Sequence, residues 1–264
     1  MTYFGFLLRF LTIPILIFLA ITWWDNKNNR PTLGFTNGGA VWIAILVHVI
    51  LAVVYTTPWD NYLVATGVWY YNPKLVTGIV FGYVPIEEYM FFIAETILSG
   101  LWWWFLARRI SEPKEIFRPS KTVRIIASSI LFFTWAVFTV LFFSNNQPIT
   151  YLSITLFWAL PAIFPQLLYG ADILWHYRKL ILLGILILGS YLSLADIIAL
   201  KDTTWSISPS QTTGLLFFGL LPLEEVNFFF ITNTLIVFGM TLLLSNVGSQ
   251  RFRNWKSTNY KGLP

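Results

Sequence analysis

Two pairs of adjacent glutamates lie inside stretches of the chain that are otherwise apolar. Each pair begins two residues after a proline; the residues are Pro85, Glu87 and Glu88 in the first copy and Pro222, Glu224 and Glu225 in the second. A carboxyl group at bilayer depth is costly unless it is neutral, paired or hydrated, so such groups usually mark function. Two carboxyl groups that share a proton can divide the roles of acid and base. The repeated motif therefore predicts proton-transfer chemistry, with the four glutamates as catalytic candidates.

Aromatic side chains accompany both glutamate pairs. The chain has 13 Trp, 12 Tyr and 24 Phe, and two phenylalanines follow each motif at the same spacing; they are Phe91, Phe92, Phe228 and Phe229. Ring faces attract cations, so a proton donor among them suits protonation of an alkene followed by carbocation rearrangement. Packing is the alternative role for these rings. Glu95, Asn227 and Asn233 lie on the same two segments and are further candidates for binding substrate or stabilising a cation.

Simpler roles stay open for the remaining polar residues. A glutamate such as Glu95 often serves only as a partner for Ser, Thr or Asn on a neighbouring helix. Asp60 and Asp196 are predicted near the outer ends of two helices, where a supporting role in the site and a solvated helix end both fit. Four aromatic residues are typical of the membrane–water interface; they are Trp69, Tyr70, Tyr71 and Trp205.

Composition identifies the elements that must hold these groups. Of the 264 residues, 56% are hydrophobic and 11% are charged, which excludes a soluble domain. The apolar stretches predict an all-α, polytopic membrane protein with seven transmembrane helices, each of roughly 20 residues. The predicted spans are residues 3–24, 38–57, 78–106, 122–143, 151–170, 179–200 and 214–244.

Basic residues indicate how these helices are oriented. Of the 17 Lys and Arg, 13 fall in loops on one side of the predicted membrane, including Lys256 and Lys261 near the C-terminus. The positive-inside rule places these loops and the C-terminus in the cytoplasm and the N-terminus outside, in the cell membrane. The formal charge of +5 therefore indicates topology and not nucleic-acid binding.

The chain contains an internal duplication. A shift of 136 residues superposes identical residues: Asp60 on Asp196, Trp69 on Trp205, Pro73 on Pro209, Thr77 on Thr213, Gly78 on Gly214 and Phe81 on Phe217. A shift of 137 superposes the two glutamate motifs. The motif helices are the third and the seventh and run in the same direction, which predicts a parallel repeat of two three-helix units. The predicted units are residues 1–106 and 144–246, with a basic loop and linker helix at 107–143 and a basic tail at 247–264.

The two motif prolines are predicted to lie inside the third and seventh helices, where each removes a backbone hydrogen bond and bends the helix. Pro85 would free the carbonyl group of Phe81, and Pro222 that of Phe218, as acceptors for a protonated glutamate. Counted along continuous helices, all four acids are predicted roughly 13–15 Å below the outer end. They would then face one another in one layer across the axis of the repeat.

Duplicated Pro-x-Glu-Glu motifs followed by Phe-Phe, on a seven-helix chain of this length, resemble the small integral-membrane lycopene cyclases. That family occurs as two short heterodimeric subunits in bacteria and as one chain with an extra linker helix in archaea and some bacteria. In fungi the unit is joined to a phytoene synthase. This chain resembles the fused form, with residues 3–106 and 151–244 matching the two subunits and residues 122–143 matching the linker helix.

The resemblance implies cofactor-independent cyclisation of the linear ends of lycopene to β-ionone rings, giving β-carotene through γ-carotene. It implies the four motif glutamates as acid and base, a lipid-dissolved carotenoid as substrate, and neither a metal nor a nucleic acid. The sequence has no Gly-x-Gly-x-x-Gly run for a flavin. Enzymes that form ε rings, cyclise longer carotenoids or hydrate the same cation are alternatives, and a proton-coupled transporter is the non-enzyme alternative. The oligomeric state stays open.

Overall fold

Within residues 1–260, which the computed structural model describes, the chain is an all-α polytopic membrane protein with seven helices long and apolar enough to cross a bilayer. They are α1 (Tyr3–Lys27), α2 (Gly39–Ala65), α3 (Ile86–Ala107), α4 (Lys121–Phe143), α5 (Thr150–His176), α6 (Arg178–Lys201) and α7 (Leu223–Leu244). A further helix, α8 (Asn246–Tyr260), begins where the sequence predicted a basic tail. Residues 261–264 and the side chains of residues 255–260 lie outside the description, and with them the predicted cytoplasmic Lys256 and Lys261.

Short strands connect these helices on the side away from the basic loops. They are β1 (Trp69–Tyr71), β2 (Val80–Phe81), β3 (Val84–Pro85), β4 (Trp205–Ile207), β5 (Leu216–Phe217) and β6 (Leu221–Pro222). Strand β2 pairs with β3, and β5 with β6, as two small antiparallel hairpins, while β1 pairs with β4 across the repeat.

The predicted helical starts of α3 and α7, at residues 78 and 214, are wrong, because the chain there forms the two hairpins. Pro85 and Pro222 have extended backbones and cap α3 and α7, so neither lies inside a helix or frees a helical carbonyl group. The predicted depth of the acids fails for the same reason, since all four lie in the first turn of their helices. Hydropathy misled the prediction because the hairpins are themselves apolar, although glycines with positive φ, Gly82 and Gly219, mark the turns.

Two other helices run further than predicted. Helix α2 continues beyond residue 57 through Pro58 to Ala65, so Asp60 lies within it. Helix α5 continues beyond residue 170 to His176, through a kink at Gly170. Proline and glycine are tolerated in membrane helices because neighbouring groups satisfy the backbone atoms that they free.

Helices α3 and α7 lie at the centre of the bundle and pack against each other. Helix α2 packs against both of them, and so does α6, which is the equivalent helix of the second half. Equivalent helices thus make equivalent contacts in the two halves. This is expected of a two-fold repeat whose axis runs along the membrane normal. Helix α4 packs on α5 and leaves most of its apolar surface exposed, as a linker helix facing lipid would.

The sheet formed by β1 and β4 locates the axis of this repeat. Tyr70 is opposite Ser206, and these two residues are equivalent under the shift of 136. Trp69 is opposite Ile207, and Tyr71 is opposite Trp205. The shift of 136 relates Trp69 to Trp205 and Tyr71 to Ile207, so the two pairs are equivalent to each other. The pseudo-two-fold axis therefore passes between Tyr70 and Ser206.

Two equivalent aspartates join the helices at the basic end. Asp25, near the end of α1, accepts hydrogen bonds of 2.9 and 3.1 Å from the Arg109 guanidinium beyond α3. Asp172, near the end of α5, accepts bonds of 2.8 and 2.6 Å from Arg251 in α8. A shift of 147 superposes the two aspartates. Each three-helix unit is therefore closed at this end by a bidentate ion pair.

Candidate active site

A small cavity lies between the first turns of α3 and α7, beneath the β1–β4 sheet. Glu88 and Glu225 both line it, and its volume is about 30 Å³. Apart from Asp196, the other lining residues are aromatic; they are Tyr3, Trp69, Tyr71, Phe91, Trp205, Phe228 and Phe229. One motif glutamate from each half of the chain therefore faces a common aromatic cavity, together with Asp196 from the second half.

Phenol groups hold both of these glutamates. Glu88 Oε2 accepts hydrogen bonds from the hydroxyl groups of Tyr3 and Tyr71, the latter at 2.9 Å. Glu225 Oε1 accepts one from Tyr151, also at 2.9 Å. Burial, and next the charge of Glu88, raises the pKa of Tyr71 well above its ordinary value, so its hydroxyl is a neutral donor. Glu88 thus has two phenol donors where Glu225 has one.

The other two glutamates are directed elsewhere. Glu87 Oε1 accepts a hydrogen bond of 2.6 Å from the backbone N–H of Thr77, and Glu224 Oε1 accepts one of 2.7 Å from that of Thr213. Both side chains are fully buried, and neither lines the cavity. Of the four carboxyl groups predicted to face one another, two reach the cavity and two hold the loops that lead into the hairpins.

Two buried aspartates complete the acidic layer. Asp196 lines the cavity and accepts a hydrogen bond of 2.8 Å from Trp205 Nε1. Asp60, its equivalent in α2, is completely buried, and neither of its carboxyl oxygens has a hydrogen-bond partner. Asp60 and Asp196 each interact electrostatically with Glu88, and Asp196 also does so with Glu225. The alternative of a solvated helix end is therefore wrong for both.

All four predicted phenylalanines are buried at cavities. Phe91 and Phe229 approach across the two halves with ring centroids 6.2 Å apart. Phe228 stacks on Trp59 at 5.5 Å with the rings 9° from parallel. Phe92 faces a neighbouring, larger cavity, and Phe228 lines both cavities. These rings therefore pack in the core and also lie where they could contact a bound ligand, so the structure is consistent with both roles.

The remaining predicted residues separate into two groups. Glu95 lines the larger cavity and accepts a hydrogen bond of 2.7 Å from Thr232, which is the helix-to-helix partnership given above as its simpler role. Asn233 links the two central helices by accepting a bond of 2.8 Å from Ser99. Neither Asn233 nor Asn227 lines the two cavities.

Sequence reasoning missed the tyrosines and assigned three cavity residues to the membrane interface. Trp69, Tyr71 and Trp205 line the acidic cavity instead; Tyr70 alone of the four is exposed. Their proximity to the glutamates depends on the pairing of β1 with β4, which short apolar segments do not reveal.

Tyr3 and Tyr151 are not recognised as equivalent from the sequence, because the distance from the tyrosine to the next matched proline differs between the two halves. Tyr3 lies 11 residues before Pro14, whereas Tyr151 lies 10 before Pro161. The additional residue falls in a π-helical turn at Leu8–Thr12, a geometry that accommodates one extra residue in a helix. The matched prolines, at a shift of 147, were the signal that could have identified this equivalence.

Comparison with known proteins identifies relatives of this chain. A lycopene beta-cyclase of Halobacterium salinarum is 36% identical over 219 residues, which cover 83% of this chain and 85% of that protein. A bifunctional lycopene cyclase/phytoene synthase of Podospora anserina is 32% identical over 201 residues, covering 74% of this chain and 34% of the longer protein. No family model matches the chain, and no solved structure matches it.

These relatives establish the class of protein, a polytopic membrane enzyme of the isomerase type. The chain belongs to the lycopene cyclase family, as the duplicated glutamate motifs suggested.

Proposed function

We propose that the protein closes each linear end of lycopene into a β-ionone ring, giving β-carotene through γ-carotene. The observation that supports this best is that Glu88 and Glu225, one from each half, line one aromatic cavity. The proposal also draws on the name of the Halobacterium relative, lycopene beta-cyclase. The substrate would reach the cavity from the lipid, since apolar helices surround it.

The proposed reaction moves one proton in and one proton out. A carboxylic acid protonates the terminal double bond, and the resulting cation is attacked by the neighbouring alkene, which forms the ring carbon–carbon bond. The positive charge then lies on the ring, and a carboxylate removes an adjacent proton to restore a double bond. The product is an isomer of the substrate, so no oxidant or reductant is consumed.

We assign the base to Glu88 and the acid to Glu225. Hydrogen bonds donated to a carboxylate stabilise its charged form, and Glu88 accepts two from phenol groups where Glu225 accepts one. The free N–H groups and the dipole of the first helical turn act on both glutamates alike, so the number of phenol donors distinguishes the two. Asp196 interacts with both glutamates and would return the proton from base to acid after each turnover.

The aromatic lining has a defined part in this proposal. The ring faces of Trp69, Trp205, Phe91, Phe228 and Phe229 surround the place where the cation forms. Such faces stabilise positive charge by about 0.5–2 kcal/mol each, and they exclude the water that would otherwise capture the cation. The basic end of the bundle is proposed to lie in the cytoplasm of the cell membrane, which leaves the acidic cavity nearer the outer surface.

Expression in a bacterial host that accumulates lycopene tests this function. We expect lycopene to be replaced by β-carotene, with γ-carotene as the intermediate. When isolated membranes convert preformed lycopene in D₂O, each ring should carry one solvent-derived deuterium, since the acid exchanges with solvent. Unchanged lycopene, with the protein present in the membrane, would overturn the proposal. An ε ring or a hydroxylated end group would replace it with a related carotenoid reaction, and uptake driven by a pH gradient would favour a transporter.

A further inference from the structure

A long apolar groove runs from the acidic cavity towards the basic end of the bundle. Its first part, of about 220 Å³, is bounded by α2, α3, α5 and α7, and its second part, of about 650 Å³, by α2, α5, α7 and α8. His48, Leu51 and Gln166 line both parts, so the two parts adjoin each other. Phe228 lines both the first part and the acidic cavity, so the groove begins where the acids lie.

The length of the groove is comparable to the thickness of the membrane. Along α7, the cavity residue Glu225 and the groove residue Leu242 are 17 residues apart. At 1.5 Å per residue this is roughly 26 Å, against about 30 Å for the hydrocarbon core of a bilayer. An extended molecule with one end at the acids would therefore reach close to the basic end.

Two polar groups along the groove, those of Glu95 and His48, have partners within the protein, whereas the buried Oε1 atom of Gln166 has none. Glu95 is bound by Thr232, and the Nδ1 atom of His48 lies 2.7 Å from the carbonyl oxygen of Ala44. The His48 ring packs against Gly239, where a Cβ atom would collide with it. What remains for an occupant is mainly the apolar and aromatic surface of residues such as Phe92 and Trp158.

We propose that the groove holds the polyene chain of the substrate while one of its ends reacts in the acidic cavity. This inference rests on the function proposed above. A cavity of about 30 Å³ is far too small for the whole substrate, so the unreacted part must extend beyond it. The groove is the apolar space that leads away from Phe228. The second ring then requires the monocyclic product to leave, reverse and enter again.

Substitution of Leu51 tests this placement. Leu51 lines both parts of the groove and is 58% exposed, so Leu51→Trp narrows the channel without disturbing the core. Ile50→Trp is the matched control, because Ile50 is 53% exposed on the same helix and lines neither part. We expect Leu51→Trp to lower kcat/KM for lycopene by about tenfold. For an isoprenoid with the same end group that is too short to reach Leu51, kcat/KM should change less than about twofold, and Ile50→Trp should leave both substrates unaffected.

A second measurement does not depend on turnover. A photo-crosslinking amino acid at position 51 should form an adduct with the mass of lycopene, and the same group at position 50 should not. Equal effects of the two tryptophan variants, or equal cross-linking at both positions, would overturn the groove assignment. So would equal losses on long and short substrates. Failure of the unsubstituted protein to convert lycopene would instead reject the proposed function.

Discussion

Glu95 accepts a hydrogen bond of 2.7 Å from Thr232, and the two residues occupy equivalent positions in the two halves of the chain. A contact between equivalent residues lies on the pseudo-two-fold axis. Tyr70 and Ser206 mark the same axis in the β1–β4 sheet. Glu88 lies between these two points, two turns before Glu95 on α3 and bonded to Tyr71 of β1. The acidic cavity is therefore built around the axis of the repeat.

The helices and strands around the acidic cavity follow the two-fold repeat, but the side chains that contact the acids differ between the two halves. Tyr71 is equivalent to Ile207, so Glu88 gains a second phenol donor that Glu225 lacks. Asp196 is bonded to Trp205, whereas the oxygens of Asp60 have no hydrogen-bond partner. Duplication alone would give two identical acids. In the proposed mechanism, these differences distinguish the base from the acid.

The first prediction separates the two glutamates at the cavity from the two that hold loops. Glu88→Gln and Glu225→Gln should each lower kcat by roughly 100- to 10,000-fold, the usual contribution of a general acid or base. Glu87→Gln should change kcat less than about tenfold, since an amide oxygen can still accept the Thr77 N–H. Initial rates of lycopene conversion in isolated membranes measure both effects.

Alanine substitution supplies the control for that comparison. Glu87→Ala leaves the Thr77 N–H without its acceptor, which costs about 1–3 kcal/mol, so the thermal midpoint in detergent should fall while Glu87→Gln stays close to the original protein. Equal loss of kcat in all four glutamine variants would show that the division between cavity and loop residues is incorrect.

The second prediction concerns the phenol groups. Tyr71→Phe removes one of two donors to Glu88 and should slow cyclisation roughly tenfold, since a hydrogen bond to a charged group contributes about 1.5–3 kcal/mol. Tyr70→Phe, on the same strand but exposed, should have no effect. Because Tyr3 and Tyr71 share Glu88, their double variant should be non-additive. Additive losses, or an equal loss for Tyr70→Phe, would contradict the shared-base assignment.

Sequence alone predicted the seven spans, and the structure confirms them; it misplaced the elements between them. Hydropathy records that residues 78–85 and 214–222 are apolar, which is true of a membrane helix and equally of a hairpin at its surface. The catalytic roles of the glutamates stay predictions. Tyr3 and Tyr151 could not be paired by one constant shift, because the chain slips by one residue inside α1.

The third prediction concerns stability at the basic end. Asp25 is 3% exposed and faces three guanidinium groups, of which that of Arg108 is itself buried. Asp25→Asn leaves these charges without a counter-ion and should cost about 3–5 kcal/mol, which lowers Tm by about 10 °C in a chain of this size. Asp202→Asn is the matched control, because Asp202 is 40% exposed in its pair with the N-terminus and should change Tm little. A similar Tm for both variants would mean that the ion pairs of Asp25 do not stabilise the fold.

The fourth prediction tests the π-helical turn of α1. Deleting exposed Leu8 from Leu8–Thr12 should convert this turn to a regular α-helix and keep Tyr3 in phase with Glu88, since a π turn contains one residue more than the α-helix needs. Activity should then stay within about tenfold of the original, because the donor to Glu88 is retained. Deleting the similarly exposed Leu16, outside the turn, rotates one part of α1 by about 100° relative to the other. That rotation displaces either Tyr3 or Asp25, so activity or Tm should fall sharply. If the two deletions behave alike, the π turn does not maintain the register between Tyr3 and the acidic cavity.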